Sequence, residues 1–527
     1  MSDEATFILL FMVATVVAIA VRRLKIPYTA ALVGAGLLLG LAQVFNPPHL
    51  TKELLYSVFL PGLLFEAAFH INFEQFWRNK LAIVSLAVPG VIAATALTTA
   101  ILTPVAEVLD YVQNFSWLYA LVFGALIAAT DPIAVVALFR ELGAPKRLGI
   151  LIEGESLLND GTGIVFFTLS MSLAAGVHTT AGSLALAFVQ ITGSGMLIGG
   201  VVGLGVSQLT KQINDPMIEI TLTTIAAYGS FVVAEHLGYS GVIATVTAGM
   251  VCGNYGARVG MSPSTRLAVE SFWQYVAFAL NSIVFLLIGF EVHVRDLAAS
   301  WQMILVAYFA VTAGRFLVIF GVSSVLRISR ERIPWSWSVI LAWGGLRGAL
   351  PMVLALSLPQ SFAHRELLVT MTFGVVILSI LVHGLSVSQL LERLGIVTGG
   401  EAREAYEFWK GKVRAAHAAL SDMERLEWLR PEEKGVLSDL QEEYRAMIQH
   451  GEQELGSLQI DRELLRAEER QSAMRQLLLT EKKHVLEAFH QGLLSQRAYE
   501  RLVEDVDARL LKLETQGPNE DPASSPP

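Results

Sequence analysis

Polar and acidic residues interrupt the apolar segment ILIEGESLLNDGTGIVFF, residues 150–167, which is long enough to enter a lipid bilayer. In a helix, Ser156 lies one turn before Asp160, and Glu155 lies one turn before Asn159 on a neighbouring face. Hydroxyl, amide and carboxylate oxygens suit small hard cations. Because an ionisable group costs about 2.5 to 3.5 kcal/mol at the bilayer centre, we expect these side chains to face the protein interior or a water-filled cavity.

The segment ALIAATDPIAVVALF, residues 125–139, is a second candidate part of a cation site. Pro132 has no N–H and disfavours helical geometry at the residue before it, Asp131. We therefore predict a helix interruption at Thr130 and Asp131, which frees backbone carbonyls for a cation beside a carboxylate. A purely structural proline kink is the alternative.

A matching interruption is predicted in LAWGGLRGALPMVLAL, residues 341–356, where Arg347 is surrounded by the helix-weakening residues Gly344, Gly345, Gly348 and Pro351. Two spans interrupted by glycine or proline in corresponding halves indicate a secondary transporter with inverted repeats and a site near the bilayer midplane. Arg347 would offset the negative half-helix ends that meet there. A structural role between helices remains open for Arg347.

Three further ionisable residues are expected inside the membrane. Glu155 and Arg315 form a natural pair, because an isolated charge is costly in lipid and a buried pair offsets much of that cost. We predict a structural ion pair, with a transport role as the alternative. Glu66, in LPGLLFEAAF, is a candidate outer ligand or orienter of the cation site. The competing interpretation is that Glu66 satisfies buried helix ends.

The composition indicates a polytopic membrane protein of the all-α class. The 527-residue chain is 53% hydrophobic and 16% charged, whereas soluble domains carry about 25% charged residues. Apolar runs of about 20 residues, the length that spans a bilayer, recur along the chain. We predict thirteen spans, at residues 6–22, 29–45, 51–71, 81–104, 116–139, 148–175, 182–209, 216–237, 240–256, 267–291, 300–325, 335–358 and 366–390.

The predicted domains are a membrane part, residues 1–392, a helical cytoplasmic tail, 393–515, and a disordered C-terminus, 516–527. From residue 401 onward, 26 acidic and 18 basic residues give a net charge of −8, which argues against nucleic acid as a partner. We predict a helical bundle or dimerisation element in the tail, with a pH or ligand sensor as the alternative. No Gly-rich nucleotide fingerprint is present in it, and no cofactor is predicted.

The loop charges predict the orientation of the chain in the membrane. Fourteen Lys and Arg residues fall in the loops on one side and three in the loops on the other. Because basic loops stay in the cytoplasm, the N-terminus is predicted outside and the C-terminus inside.

Three motifs resemble the monovalent cation/proton antiporters, in the branch of NhaP antiporters and animal sodium/proton exchangers. They are Thr130-Asp131-Pro132, EGESLLNDGTG from Glu153 to Gly163, and GGLRGA from Gly344 to Ala349. The resemblance covers roughly residues 5–392. It implies a homodimer of thirteen-span protomers, each with a dimerisation domain and a six-helix core that contains two crossed, discontinuous helices.

The resemblance also implies roles for single residues. Asp160 would bind both the cation and the proton, and Ser156 and the main-chain carbonyl of Thr130 would complete a Na⁺ site. Asp131 and Glu66 would take part directly or through water.

Three further roles are implied in the same way. Asn159 would hold the crossing helices together, and Glu155 would pair with Arg315. An Asn-Asp pair, as at Asn159 and Asp160, accompanies electroneutral one-for-one exchange in this family, whereas an Asp-Asp pair accompanies electrogenic exchange.

We therefore expect a secondary transporter of a bacterial inner membrane, not an enzyme, that exchanges Na⁺ or Li⁺ for H⁺. If moving the empty, charged site through the hydrophobic barrier costs too much free energy, the core moves past the barrier only when Asp160 carries a proton or a cation. This rule produces antiport. K⁺/H⁺ exchange by the same fold is the first alternative. The other classes considered are a cation channel, an intramembrane aspartyl protease and a symporter of a small anion.

Overall fold

The computed structural model describes residues 3–24, 28–42, 54–108, 115–176, 180–213, 215–257, 260–291, 294–329, 331–396, 400–426, 434–457, 462–490 and 493–515. The regular elements within these ranges are all helices. The predicted disordered C-terminus, residues 516–527, lies outside them. The chain forms two compact units, Met1–Val397 and Thr398–Pro527.

The first unit is a succession of apolar α-helices with three short π-helical segments, Leu55–Phe59, Cys252–Gly256 and Ser379–His383. In chain order the α-helices are α1 Asp3–Leu24, α2 Tyr28–Leu41, α3 Leu60–His70, α4 Phe73–Arg78, α5 Lys80–Ala87, α6 Pro89–Val108, α7 Trp117–Leu126, α8 Ile133–Leu142, α9 Lys146–Ala174, α10 Ala181–Thr210, α11 Pro216–His236, α12 Gly241–Val251, α13 Pro263–Glu291, α14 Val294–Ala299, α15 Trp301–Leu326, α16 Trp335–Trp343, α17 Ala349–Leu356, α18 Arg365–Leu378 and α19 Gly384–Arg393.

The second unit is also helical in its described residues. Its helices are α20 Gly400–Leu426, α21 Lys434–Ser457, α22 Arg462–His490 and α23 Gln496–Thr515. Helix α20 packs on α21, and α22 packs on α23. Lys482 joins the second pair, because its Nζ donates to both carboxylate oxygens of Asp507 at 2.7 and 2.9 Å.

Several helices of the first unit have the length and composition of membrane spans. Seven such helices occur in the described residues: Lys80–Val108, Lys146–Ala174, Gly182–Thr210, Pro216–His236, Thr265–Glu291, Trp301–Leu326 and Arg365–Arg393. The other predicted spans coincide with helices that are shorter or interrupted. The all-helical membrane fold is therefore confirmed, and the count of thirteen stays a prediction.

Both predicted helix interruptions are confirmed. Helix α7 ends at Leu126 and α8 begins at Ile133, and Pro132 stands at the N-cap of α8. Helix α16 ends at Trp343 and α17 begins at Ala349. Because proline has no N–H and glycine favours no single backbone conformation, neither segment continues its helix.

Two groups of helices pack within the first unit. Helices α2, α3 and α10 to α13 form one group, and α5 to α7, α9, α15, α16 and α18 form the other. Backbones approach closely in the first group: a Cβ added at Gly36 of α2 would lie 3.0 Å from the Cα of Gly289 of α13. Such contacts between small residues let membrane helices pack tightly without a hydrophobic driving force.

Candidate functional site

The two helix interruptions meet directly. The backbone N–H of Asp131, in the first interruption, donates to the carbonyl of Leu346, in the second, at 2.8 Å. A buried N–H that is lost to a helix needs another partner, and the second interruption supplies one to Asp131. The two discontinuous helices are therefore held together at their breaks.

Arg347 lies within this crossing and is 5% exposed. Its Nη1 donates to the carbonyls of Ala128 at 2.8 Å and Ala129 at 3.2 Å, which follow the end of α7. The C-terminal carbonyls of a helix carry a partial negative charge, so a guanidinium is a favourable partner. The expected location of Arg347 at a half-helix end is thus observed.

Helix α9 carries the polar face predicted from the sequence and holds the first interruption through Thr130. The Ser156 hydroxyl donates to the Thr130 carbonyl in a short hydrogen bond. Asn159 Nδ2 donates to Thr130 Oγ1 at 2.7 Å, and Thr130 N donates to Asn159 Oδ1 at 3.5 Å. All three side chains are at most 5% exposed, so these bonds are shielded from solvent. The serine oxygen and the threonine carbonyl each retain a lone pair for a cation.

A cavity of about 350 Å³ lies beside the crossing. Thr130, Asp131, Ser156, Asp160 and Glu66 all line it, whereas Asn159 does not. Both aspartates are partly exposed to the cavity. The walls come from α3 and α13 of one helix group and from α9 and the crossing on the other side. The cavity therefore contains five of the six residues predicted for the cation site.

Asp131 connects the cavity to both broken helices. Its Oδ1 accepts from the N–H of Ile133 at 3.0 Å and so caps the first turn of α8. Its Oδ2 would lie 2.7 Å from a Cβ placed at Gly348, the residue that precedes α17. Only glycine leaves room for the carboxylate at this position.

Glu66 lies on the α3 side of the cavity and is paired with His70, the last residue of that helix. His70 Nδ1 is 3.2 Å from Glu66 Oε1 and 3.0 Å from the Glu66 carbonyl. The two side chains are 25% and 24% exposed, respectively. Glu66 therefore faces the cavity and does not serve a buried helix end alone.

Glu155 and Arg315 lie away from the cavity lining and form a bidentate ion pair. The Arg315 Nη1 and Nη2 atoms donate to the two Glu155 carboxylate oxygens at 2.8 and 3.1 Å. Arg315 also donates to the carbonyls of Leu341 at 2.9 Å and Ala342 at 3.2 Å, near the end of α16. The pair thus joins α9, α15 and α16.

The membrane part matches a known family model. The model, described as "Sodium/hydrogen exchanger, transmembrane", aligns with residues 8–393. The chain belongs to the sodium/hydrogen exchanger family. Its members are secondary transporters rather than enzymes, so the protease interpretation is wrong.

Several relatives support this assignment. The exchanger is 41% identical over 385 residues to the Na⁺/H⁺ antiporter ApNhaP of Aphanothece halophytica, covering 72% of each chain. It is 38% identical over 350 residues to the Na⁺/H⁺ antiporter NhaP of Pseudomonas aeruginosa, covering 65% of this chain and 81% of that one. The solved sodium proton antiporter MjNhaP1 of Methanocaldococcus jannaschii matches with a TM-score of 0.61 at 19% identity, covering 74% and 98% of the two chains. That last match shows the fold.

Four polar residues of the cavity lie outside the cation site predicted for this exchanger. One is Glu153, the first residue of the EGESLLNDGTG motif, and the other three, His70, Gln274 and Asn281, were not singled out from the sequence. His70 follows Glu66 by four residues, which places both on one helix face. Gln274 and Asn281 are seven residues apart in an apolar helix, and this spacing also places them on one face. Spacing alone could therefore have suggested all three, although not that they face the same cavity.

Proposed function

We propose that this exchanger transports Na⁺ in exchange for H⁺ across the membrane, with Li⁺ as a second substrate. The observation that carries the proposal is the convergence of Asp131, Asp160, Ser156 and Thr130 on one cavity beside the helix crossing. Carboxylate, hydroxyl and carbonyl oxygens are ligands for a hard monovalent cation. The two bacterial relatives are both named Na⁺/H⁺ antiporters, which supports Na⁺ and H⁺ as the exchanged ions.

In this proposal, Asp160, Ser156 and the Thr130 carbonyl bind Na⁺. Asp131 and Glu66 complete the coordination directly or through water. The Ser156 hydroxyl donates a hydrogen bond to the Thr130 carbonyl, so the two oxygens are adjacent, and both residues line the cavity. The cation and the proton compete for the Asp160 carboxylate, and each cancels its negative charge.

Asn159 and the two arginines hold this arrangement. Asn159 fixes Thr130 through the side chain and the backbone. Arg347 compensates the half-helix end at Ala128 and Ala129. Arg315 compensates the second half-helix end and is itself paired with Glu155 in a structural ion pair.

The competition for one carboxylate leads to exchange by alternating access. A charged empty site is costly to move past an apolar barrier, whereas a neutralised site is not. The cavity lies between two helix groups. Movement of the group that contains the crossing against the other would expose Asp160 to the two sides in turn, with one H⁺ returned for each Na⁺.

We further propose that the exchanger is a homodimer in a bacterial inner membrane. Its N-terminus would lie outside and its C-terminus in the cytoplasm, in agreement with the unequal numbers of basic residues in alternate loops. The tail, residues 393–515, would regulate the transporter or contribute to the dimer.

The decisive experiment compares Asp160→Asn with wild-type protein in proteoliposomes. An imposed pH gradient quenches a pH-sensitive dye, and Na⁺, Li⁺ or K⁺ is then added. We expect Na⁺ and Li⁺ to relieve quenching in wild type and to have no effect in Asp160→Asn. Asp215→Asn is the matched control, because Asp215 caps α11 and asparagine caps equally well.

Each outcome separates the candidate functions. Na⁺-dependent exchange that persists in Asp160→Asn contradicts the proposed site. A response to K⁺ alone supports the K⁺/H⁺ alternative. Cation current driven by voltage without a proton gradient supports a channel.

A further inference from the structure

The π-helical segment Ser379–His383, between α18 and α19, contacts both ends of the second interruption. Ser379 Oγ accepts the backbone N–H of Arg347 at 3.1 Å and donates to the carbonyl of Val376 at 2.8 Å. The Arg347 N–H has no place in a helix, and its residue is buried. Ser379 therefore satisfies a backbone donor at the centre of the crossing.

His383, at the other end of the segment, contacts Trp343, the last residue of α16. The two rings are 4.3 Å apart between centroids and inclined by 31°. Trp343 Nε1 also donates to Ser386 Oγ at 2.8 Å, one turn into α19. The end of α16 is thus fixed by stacking and by a hydrogen bond.

Tyr308 of α15 fixes His383 in turn. The Tyr308 hydroxyl is 2.8 Å from His383 Nε2, and His383 is 4% exposed. His383 Nδ1 has no hydrogen-bond partner among the described residues. A buried polar atom without a partner costs free energy that an apolar side chain would avoid. The histidine is therefore explained by its contacts with Tyr308 and Trp343 and not by core packing alone.

The contacts of Ser379 and His383 all act on the geometry of the second interruption. Ser379 holds the Arg347 backbone, while the Arg347 guanidinium holds the Ala128 and Ala129 carbonyls just before Thr130. A displacement at Ser379 would therefore reach the Thr130 carbonyl through two hydrogen bonds. π-Helical turns inside α-helices are frequent at functional sites.

We propose that the segment Ser379–His383 positions the cation site, with Ser379 and His383 as positioning residues that act through Arg347 and Trp343. This inference rests on the proposed function, since it needs a cation site at the crossing. Neither residue touches the cation. Their contribution is to keep the Thr130 carbonyl and the Asp131 carboxylate in the arrangement that binds it.

The test measures the apparent KM for Na⁺ and the maximal exchange rate in proteoliposomes. Ser379→Ala removes the acceptor for the Arg347 N–H and is expected to raise KM by about three- to tenfold. Ser379→Thr keeps the hydroxyl and should restore most of the affinity. Thr372→Val is the matched control: it also removes a buried hydroxyl, but one in the preceding helix α18 that bonds to Leu368 of its own helix.

Tyr308→Phe and His383→Gln provide an independent test of the role of His383. Tyr308→Phe deletes one hydroxyl and His383→Gln keeps a polar group near it, so both are expected to fold. We expect Tyr308→Phe to raise KM, with His383→Gln closer to wild type than His383→Leu. A merely structural role would lower the amount of active protein and its unfolding temperature without changing KM.

The proposal is overturned if Ser379→Ala keeps the wild-type KM, or if Thr372→Val raises KM equally. It is also overturned if Tyr308→Phe leaves KM unchanged. These failures are distinct from failure of the proposed function, which would show as exchange retained by Asp160→Asn in the same vesicles.

Discussion

At the scale of single residues, Arg315 and Arg347 make the same kind of contact with the two interrupted helices. Arg347 donates to the carbonyls that follow α7, and Arg315 donates to carbonyls at the end of α16. The C-terminal end of a helix carries about half an elementary negative charge, which a nearby cation offsets. Each of the two C-terminal half-helix ends therefore contacts one guanidinium, which is buried at Arg347 and partly buried at Arg315.

The two partners of the Glu155–Arg315 pair are not equivalent. Arg315→Gln leaves a buried carboxylate without its cation and weakens two carbonyl contacts, and removal of one partner of a buried pair costs about 3 to 5 kcal/mol. Glu155→Gln leaves Arg315 with its carbonyl acceptors, so we expect a smaller fall in unfolding temperature. The unfolding temperature of the double variant, measured in detergent, should lie between those of the two single variants. Dye dequenching should show that the double variant retains exchange. A folded double variant without exchange would assign the pair to transport.

Arg347 permits a sharper test of charge compensation. Arg347→Gln removes the charge beside Ala128 and Ala129, and charge-assisted hydrogen bonds contribute about 1.5 to 3 kcal/mol each. We expect at least a tenfold loss of exchange in Arg347→Gln and a smaller loss in Arg347→Lys. Initial rates at saturating Na⁺, normalised to reconstituted protein, measure the difference. Equal losses in both variants would show that the planar guanidinium, and not its charge, is required.

At the scale of elements, the residue before α17 must be glycine, because a larger side chain at Gly348 would collide with Asp131. A Cβ at Gly348 would lie 2.7 Å from Asp131 Oδ2 and 3.0 Å from its Cγ, whereas the Gly348 backbone conformation is open to other residues. The atom nearest to that position is the Asp131 Cβ, so the constraint is the whole Asp131 side chain and not local strain.

Gly348→Ala should displace Asp131 and raise the KM for Na⁺ by about tenfold or more, while the protein still inserts and folds. Gly149→Ala is the matched control, because no atom lies within 4 Å of a Cβ at that position in α9. Alanine there should stabilise the helix by up to about 1 kcal/mol. Size-exclusion profiles and KM measured on both variants test this. A normal KM in Gly348→Ala would mean that Asp131 does not need its present position.

At the scale of the whole molecule, the cavity lies between two helix groups, which move against each other in the proposed mechanism. Close backbone contacts, as at Gly36 and Gly289, hold the helices of the first group together. The crossing, its hydrogen bonds and the Glu155–Arg315 pair connect the elements of the second. Two separately packed groups with an acidic cavity between them are suited to alternating access.

A site with one exchangeable carboxylate predicts electroneutral transport. If each Na⁺ is replaced on Asp160 by one proton, clamping the membrane potential with K⁺ and valinomycin leaves the initial rate of Na⁺-driven dequenching unchanged. Asn159→Asp adds a second carboxylate beside Asp160 and supplies the comparison. A wild-type rate that rises with an imposed potential would show net charge movement and contradict the one-for-one exchange.

The helix interruptions could be predicted from the sequence because their causes are local. Pro132 lacks an N–H wherever it stands, and the glycines around Arg347 weaken any helix. Helical spacing likewise placed Ser156 next to Asp160, and the cost of a lone charge in lipid suggested a partner for Glu155. These inferences need only the covalent chain and its solvent.

The contacts that complete the site depend on distant segments. Leu346 accepts from Asp131 across more than two hundred residues, and Ser379 of the π-helical segment accepts the N–H of Arg347 in the second interruption. Which carbonyls each arginine caps, and that Glu66 meets the aspartates in one cavity, follow from how the helices pack. Helical periodicity assigns a face to each residue, but the partner of that face is chosen by packing between helices far apart in the chain.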